Sequence, residues 1–269
     1  MSDTTSSDAD FARRAIALTD LTNLDDACTE GAIDALCAKA KGDPARGGDA
    51  VPPVAAVCVW PQFIGRAKAA LRGSGVRVAT VVNFPTGAED VERVVEQTRE
   101  ALRDGADEID LVLPYEAFLA GDEDAARGML VAVRERVPRE RVLKVILETG
   151  ALKDERAIRR ASGLAIAEGA DFVKTSTGKT AVSATPKAAR IMLETIAAAP
   201  GGRRVGLKPS GGIRTLEQAR AYLDLADEIM GAGWATPETF RFGASGLHGA
   251  LVAALDGSGG APAPQGGSY

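Results

Sequence analysis

Histidine is all but missing from this chain of 269 residues: His248 is the only one. A phosphosugar isomerase wants a carboxylate base with a neutral histidine beside it, and a lone histidine in what reads as the last helix suits packing or surface better than catalysis. Cysteine is scarce as well. Cys28, Cys37 and Cys58 are odd in number and lack metal-ligand spacing, which argues against a disulfide framework and against a zinc site. A basic excess is absent, since the formal net charge is -5, so nucleic acid is not an expected partner. No apolar run is long enough for a signal peptide or a membrane span, so no membrane association is expected and the cytosol is the expected compartment.

What remains is an ordinary globular composition, 45% hydrophobic and 26% charged, with nothing in its middle that resembles a linker. A single domain the size of a large α/β barrel is expected. The ends differ from the rest. Residues 1–10 are small and polar, and residues 257–269 are a Gly, Ser and Pro segment ending in Tyr269; both are expected to be flexible tails around a domain at 11–256.

Within that domain the hydrophobic period switches between two and 3.6, with Gly or Pro at each change. Strands are expected at Ile16–Leu21, Val54–Trp60, Val76–Phe84, Glu108–Leu113, Val142–Glu148, Phe172–Ser176, Arg204–Pro209 and Arg241–Ala244. Helices are expected from Asn23 or Asp25 to Lys41, then at Gln62–Leu71, Ala88–Arg103, Glu116–Arg136, Asp154–Glu168, Pro186–Ala198, Thr215–Ala226 and Gly246–Leu255, with a loop over Lys41–Ala50. Strict alternation with short connections implies parallel strands and right-handed crossovers, and eight units close a (β/α)8 TIM barrel; an open doubly wound sheet is the alternative. An internal echo favours the barrel. Arg103-Asp-Gly-Ala-Asp-Glu-Ile-Asp110 and Ala167-Glu-Gly-Ala-Asp-Phe-Val-Lys174 share a helix stop and a strand start, with Asp110 and Lys174 at matching places.

Lys174 stands where a lysine is costly, inside a short apolar run of the buried, parallel kind. An enclosed ammonium must be paired or lose its proton, and without that proton it is an amine able to form a Schiff base with a carbonyl. The plainer alternative is a head that reaches solvent at the strand end. Alternation turns other charges inward too: Asp110 beside Val112, Lys208 beside Gly206, Lys144 and Glu148 on their strand, with Cys58 inward on the second strand. Several such groups in one barrel argue for a site at the C-terminal mouth. Lys208 lies one strand from Lys174, where two ammonium groups about 6 Å apart repel by about 2.8 kcal/mol at an effective dielectric near 20. That repulsion is expected to supply the larger part of the activation of Lys174, and burial the rest.

Anion binding is signalled by Lys208-Pro-Ser-Gly-Gly-Ile-Arg214 and Arg241-Phe-Gly-Ala-Ser245, two glycine-bearing turns that each lead into a helix, where free amides face a phosphate. Ordinary strand-to-helix turns would look the same. Gly178-Lys-Thr180 copies the end of a P-loop, but the glycine needed five positions earlier is Val173.

From about Leu18 to Leu255 the chain resembles the deoxyribose-phosphate aldolases, through Asp-Leu-Thr at 20–22, Asn-Phe-Pro at 83–85, Glu-Ile-Asp-Leu-Val-Leu-Pro-Tyr at 108–115, Lys-Val-Ile-Leu-Glu-Thr-Gly at 144–150, Asp-Phe-Val-Lys-Thr-Ser-Thr-Gly-Lys at 171–179 and Gly-Leu-Lys-Pro-Ser-Gly-Gly-Ile-Arg at 206–214. The resemblance implies a barrel, often a homodimer, that needs no metal and no cofactor. It implies reversible cleavage of 2-deoxy-D-ribose 5-phosphate to acetaldehyde and D-glyceraldehyde 3-phosphate. By the same matching Lys174 is the Schiff-base lysine, Lys208 perturbs it and Asp110 shares in proton transfer. Asp20 and Thr22 would meet substrate hydroxyls, Cys58 and Lys144 would line the substrate pocket, and Gly178, Lys179, Gly211, Gly212, Gly243 and Ser245 would hold the phosphate. Tyr269 matches a mobile tail tyrosine. Gly246 stands where the family often has a second serine, Ser210 where it often has alanine and Trp60 where tyrosine is frequent.

Overall fold

A computed structural model describes residues 7–44 and 50–255. Its frame is eight parallel strands: β1 (Thr19–Asn23), β2 (Ala56–Val59), β3 (Arg77–Val82), β4 (Glu108–Val112), β5 (Val142–Ile146), β6 (Phe172–Lys174), β7 (Gly206–Lys208) and β8 (Phe242–Ala244). From β1 to β7 each pairs with its neighbours in sequence, and β1 also pairs with β8. The ring closes between β7 and β8, where Leu207 N donates to Thr239 O at 2.9 Å, Arg241 N to Leu207 O at 3.0 Å and Gly243 N to Pro209 O at 2.9 Å. The expected barrel is therefore the observed one, and the open sheet is excluded.

The helices between strands begin on polar caps. Asp90, Asp122, Asp154, Thr185 and Thr215 each accept the backbone N–H of the third helical residue, which satisfies a donor the helix cannot use itself. These caps start α4 (Val91–Arg103), α6 (Glu123–Arg134), α8 (Glu155–Ala167), α9 (Pro186–Ala197) and α10 (Leu216–Met230). The sequence echo is real: Gly105 and Gly169 both take positive φ, 102° and 98°, to end their helices. The Asp107 and Asp171 carboxylates then accept from Val78 N and Leu143 N at 2.9 Å, tying each new strand to the one before the preceding helix.

Outward strand residues such as Val57, Ile109, Leu111, Leu113, Val145 and Val173 join the helices in one large core. The inner apolar cluster is small, with Leu24, Cys58, Ala79 and Val81 packed under Trp60 and Phe84. The inward face also carries the buried charges of Asp20, Glu108, Asp110, Lys144, Lys174, Lys208 and Arg241.

Several expected boundaries differ. A helix α1 (Asp8–Ala17) covers residues expected to be the end of the tail and the start of the first strand, and β1 begins only at Thr19. Its Phe11, Ala12, Ala15 and Ile16 are all buried, a helical spacing. The Glu116–Arg136 helix is two, α5 (Tyr115–Leu119) and α6, because Gly121 turns to φ 96° and Asp122 caps afresh. Strand β5 stops at Ile146 rather than Glu148, a short α7 (Thr149–Leu152) follows, and β6 stops at Lys174 rather than Ser176. Helix α10 runs on to Met230, past the expected end at Ala226. The remaining helices are α2 (Glu30–Ala40), α3 (Ile64–Ala70) and α11 (Leu247–Leu255). Residues 1–6 and the tail at 257–269 lie outside the described residues. Among the described residues no helix is long and apolar enough to cross a membrane.

Candidate active site

The strand registers set the site. Lys174 stands opposite Lys208, and Asp110 opposite Lys144. Asp110 is the hub: its Oδ1 accepts from Lys144 Nζ at 2.8 Å, and its Oδ2 from both Lys174 Nζ at 2.9 Å and Lys208 Nζ at 2.8 Å. One shared oxygen thus keeps the two ammonium groups within the roughly 6 Å expected of inward groups on adjacent strands.

A second layer lies beneath. Lys208 Nζ sits 2.5 Å from Asp20 Oδ2, and Arg241 reaches Asp20 Oδ1 at 2.5 Å and Glu108 Oε1 at 2.9 Å. Lys144 pairs with Glu108 and lies 3.6 Å from Asp20. All of these side chains are buried, while Arg77 touches Glu108 from outside at 3.3 Å with 43% of its side chain exposed. Inside the barrel the carboxylates of Asp20, Glu108 and Asp110 are balanced by Lys144, Lys208 and Arg241. The ledger closes without a charge on Lys174.

Burial by itself would raise the three carboxyls, yet their lysine and arginine partners outweigh it and hold all three below the ordinary range. Burial would likewise lower all three lysines. For Lys144 and Lys208 the facing carboxylates reverse that, and both end above the ordinary value. Lys174 goes the other way: burial lowers it, Asp110 raises it, Lys208 lowers it again, and the result lies below the ordinary value. Burial leads, which corrects the expectation that Lys208 repulsion is the larger part. The charge of Lys208 is already divided between Asp110 and Asp20.

Cys58 lies fully buried in β2, in the field of Lys208, Asp110, Lys174 and Lys144; burial pushes its thiol up. Asp20, expected at a substrate hydroxyl, is instead enclosed in the second layer and committed to Lys208 and Arg241. Thr22 donates to Asp20 O and lines a cleft of about 760 Å³ with Asn23, Ser245 and His248.

The expected phosphate residues separate into two groups. Gly178, Gly211, Gly212 and Ser245 line one cleft of about 390 Å³, with Thr180 and Arg214. A Cβ on Gly211 would come within 2.6 Å of Ser183, and its φ is 83°, so glycine lets the loops after β6 and β7 meet. Lys179 and Gly243 border it without lining it: Lys179 lies between Gly178 and Thr180, and Gly243 O accepts from Gly211 N at 3.3 Å. The Lys179 ammonium lies 3.7 Å from Asp26. Gly243 is inside β8, where a Cβ would meet Ser210 Oγ at 2.1 Å and Lys208 Cε at 3.0 Å, so its missing side chain makes room for Lys208. Glu148 does not face the barrel interior: with φ at 55° its carboxylate turns to Thr177 and Thr180. Tyr269 lies outside the described residues.

Sequence reasoning missed Glu108 and Arg241. The alternation that turns Asp110 inward also turns Glu108 inward, so that signal was present. Arg241, the first residue of the expected eighth strand, sits one residue before β8 begins; alternation puts it on the face of Gly243, so the signal was present there too.

A model of the DeoC/LacD family aldolases matches residues 4–247. A deoxyribose-phosphate aldolase of Agrobacterium fabrum is 51% identical over 255 residues, which is 94% of each chain. A solved Coccidioides immitis structure, provisionally assigned as a deoxyribose-phosphate aldolase, aligns with a TM-score of 0.76 at 29% identity over 92% of this chain and 86% of that one. A tetrameric deoxyribose phosphate aldolase of Aeropyrum pernix aligns with a TM-score of 0.67 at 24% identity, over 93% of this chain and 91% of that one, and speaks for the fold alone.

Proposed function

The chain belongs to the DeoC/LacD aldolase family, and from that premise we propose that it reversibly cleaves 2-deoxy-D-ribose 5-phosphate to acetaldehyde and D-glyceraldehyde 3-phosphate through a Schiff base on Lys174. The observation that carries the reading is the contrast in pairing among the inward lysines: Lys174 has only a share of Asp110, while Lys208 also meets Asp20 and Lys144 also meets Glu108 and Asp20, so burial lowers Lys174 while the carboxylates raise the other two. The amine that holds its proton least firmly is the one best placed to attack a carbonyl.

The Lys174 amine adds to the C1 aldehyde of the open sugar, and water leaves to give an iminium. A base takes the proton of the C3 hydroxyl, the C2–C3 bond breaks, and its electron pair flows into the iminium to form an enamine. D-glyceraldehyde 3-phosphate departs. The proton taken from oxygen is returned to C2, and hydrolysis then frees acetaldehyde and Lys174. Asp110 and Lys208, which meet on one carboxylate oxygen beside Lys174, are the groups assigned to that proton. The substrate phosphate is assigned to the cleft of Gly178, Gly211, Gly212 and Ser245, which opens from the loop directly following Lys174. A cytosolic homodimer belongs to the same reading.

Purified protein incubated with 2-deoxy-D-ribose 5-phosphate should release both products in equal amounts, followed by a coupled reduction of each aldehyde, at a rate that a chelator leaves unchanged. Failure to release D-glyceraldehyde 3-phosphate would remove the assigned substrate, and loss of activity with the chelator would replace the lysine mechanism by a metal-dependent one.

A further inference from the structure

We infer that Glu148 is a positioning residue that sets the preference for a phosphorylated substrate, by holding the loop between β6 and α9 in the form that makes the anion cleft; this rests on the reading of that cleft as the phosphate site. Glu148 is completely buried and takes a left-handed backbone, φ 55° and ψ 62°, which a side chain of its kind seldom adopts. That turn throws its carboxylate away from the charged barrel interior and under the neighbouring loop.

There it meets neutral donors. Oε2 accepts from Thr177 N at 3.1 Å and from Thr177 Oγ1 at 2.5 Å, while Oε1 accepts from Thr180 Oγ1 at 3.1 Å. Thr177 Oγ1 in turn accepts from Lys179 N at 3.1 Å, so the chain on both sides of Gly178 is tied back to one carboxylate. The same turn fastens the loop twice more. Thr149 N donates to Thr175 O at 2.8 Å, and Gly150 lies so close to Val182 that an added Cβ would stand 2.0 Å from its carbonyl oxygen. Gly178, Thr180 and Ser183, three of the cleft's walls, belong to the strapped segment.

A negative charge behind an anion site opposes the anion, so the value of Glu148 there is geometric. Glutamine can supply the same geometry: its carbonyl oxygen can accept from Thr177, and its amide can donate to Thr180 Oγ1, whose hydrogen then goes to Val182 O, 3.1 Å away. Alanine can do none of this. Substrate phosphate binding should therefore survive E148Q and fail in Glu148→Ala.

The measurement is kcat/KM for 2-deoxy-D-ribose 5-phosphate and for unphosphorylated 2-deoxy-D-ribose, in the wild type, Glu148→Gln, Glu148→Ala and Thr180→Val. Loss of a positioning hydrogen bond should lower the ratio of the two in Glu148→Ala by roughly tenfold, through the KM of the phosphorylated sugar. Glu148→Gln should keep the ratio, and Thr180→Val should lower it in the same sense, which keeps the test alive should Glu148→Ala not fold. A high wild-type ratio that Glu148→Ala and Thr180→Val leave intact, or an equal loss with both sugars, overturns the inference alone. A wild-type ratio near one removes the phosphate reading of the cleft, and this inference with it.

Discussion

Three lysines point into the barrel, and burial pushes each of them in the same direction; what separates them is the number of carboxylates that answer it. Lys144 faces Asp110, Glu108 and Asp20, and Lys208 faces Asp110 and Asp20, whereas Lys174 has a share of Asp110 only. Arg241 belongs to this balance although it touches neither Lys174 nor Asp110, because it neutralises Asp20 and Glu108 from below while its guanidinium lies 5.6 Å over the Phe172 ring. Removing positive charge from the cage should make Lys174 hold its proton more firmly, and removing negative charge should do the reverse. The pH midpoint for imine formation with acetaldehyde should therefore rise in Lys208→Met and Arg241→Met and fall in Glu108→Gln, with Arg241→Met also destabilised by about 3–5 kcal/mol because it strands buried carboxylates. Midpoints that stay in place in all three variants would mean that Lys208 and Arg241 serve by contact and not by charge. At this scale the inward placement of Lys174, Lys208 and Asp110 was legible from period-two alternation in buried strands. Which effect dominates was not legible, because pairings such as Lys208 with Asp20 join residues far apart in sequence.

Strand β8 shows how an element can be specified by what it leaves out. With Gly243 at its centre, β8 lets Lys208 Cε and Ser210 Oγ occupy the space a side chain would take. Gly243→Ala should cost about 1–3 kcal/mol by overpacking, measured by urea unfolding, and should displace Lys208 enough to lower kcat on the sugar phosphate. A stable, fully active Gly243→Ala would show that the glycine only serves the strand. The sequence marked this position as a phosphate contact, and its carbonyl does accept from Gly211 N of that cleft, but the room it makes for Lys208 was not legible. Elements bounded by Gly, Pro or a polar cap were otherwise legible, as α4 and α8 show. Helix α1 was hidden because its polar start looks like a tail and its apolar end looks like a strand, and only the spacing from Phe11 to Ile16 across both halves reveals it. The helix over Glu116–Arg136 was read as one because Gly121 interrupts a pattern that resumes in the same period after Asp122.

Closing the barrel places a charged network where most domains keep hydrocarbon, and the whole molecule's stability should carry that signature. Asp20, Glu108 and Asp110 titrate below the ordinary carboxylate range when folded. Their contribution is complete above about pH 4, where the unfolded carboxylates are charged as well, and it drains away as pH falls below that towards the folded-state values. Urea midpoints should therefore drop steeply as pH falls below about 4, and Glu108→Gln should flatten that slope. An unchanged slope would place the acid-sensitive groups at the surface instead. The proposed chemistry, though, stands on one nitrogen. Trapping with acetaldehyde and borohydride, followed by digestion and peptide mapping, tests it most directly. The expected result is a single reduced adduct on Lys174, abolished with activity in Lys174→Met; an adduct on Lys144 or Lys208, or full turnover in Lys174→Met, would contradict it.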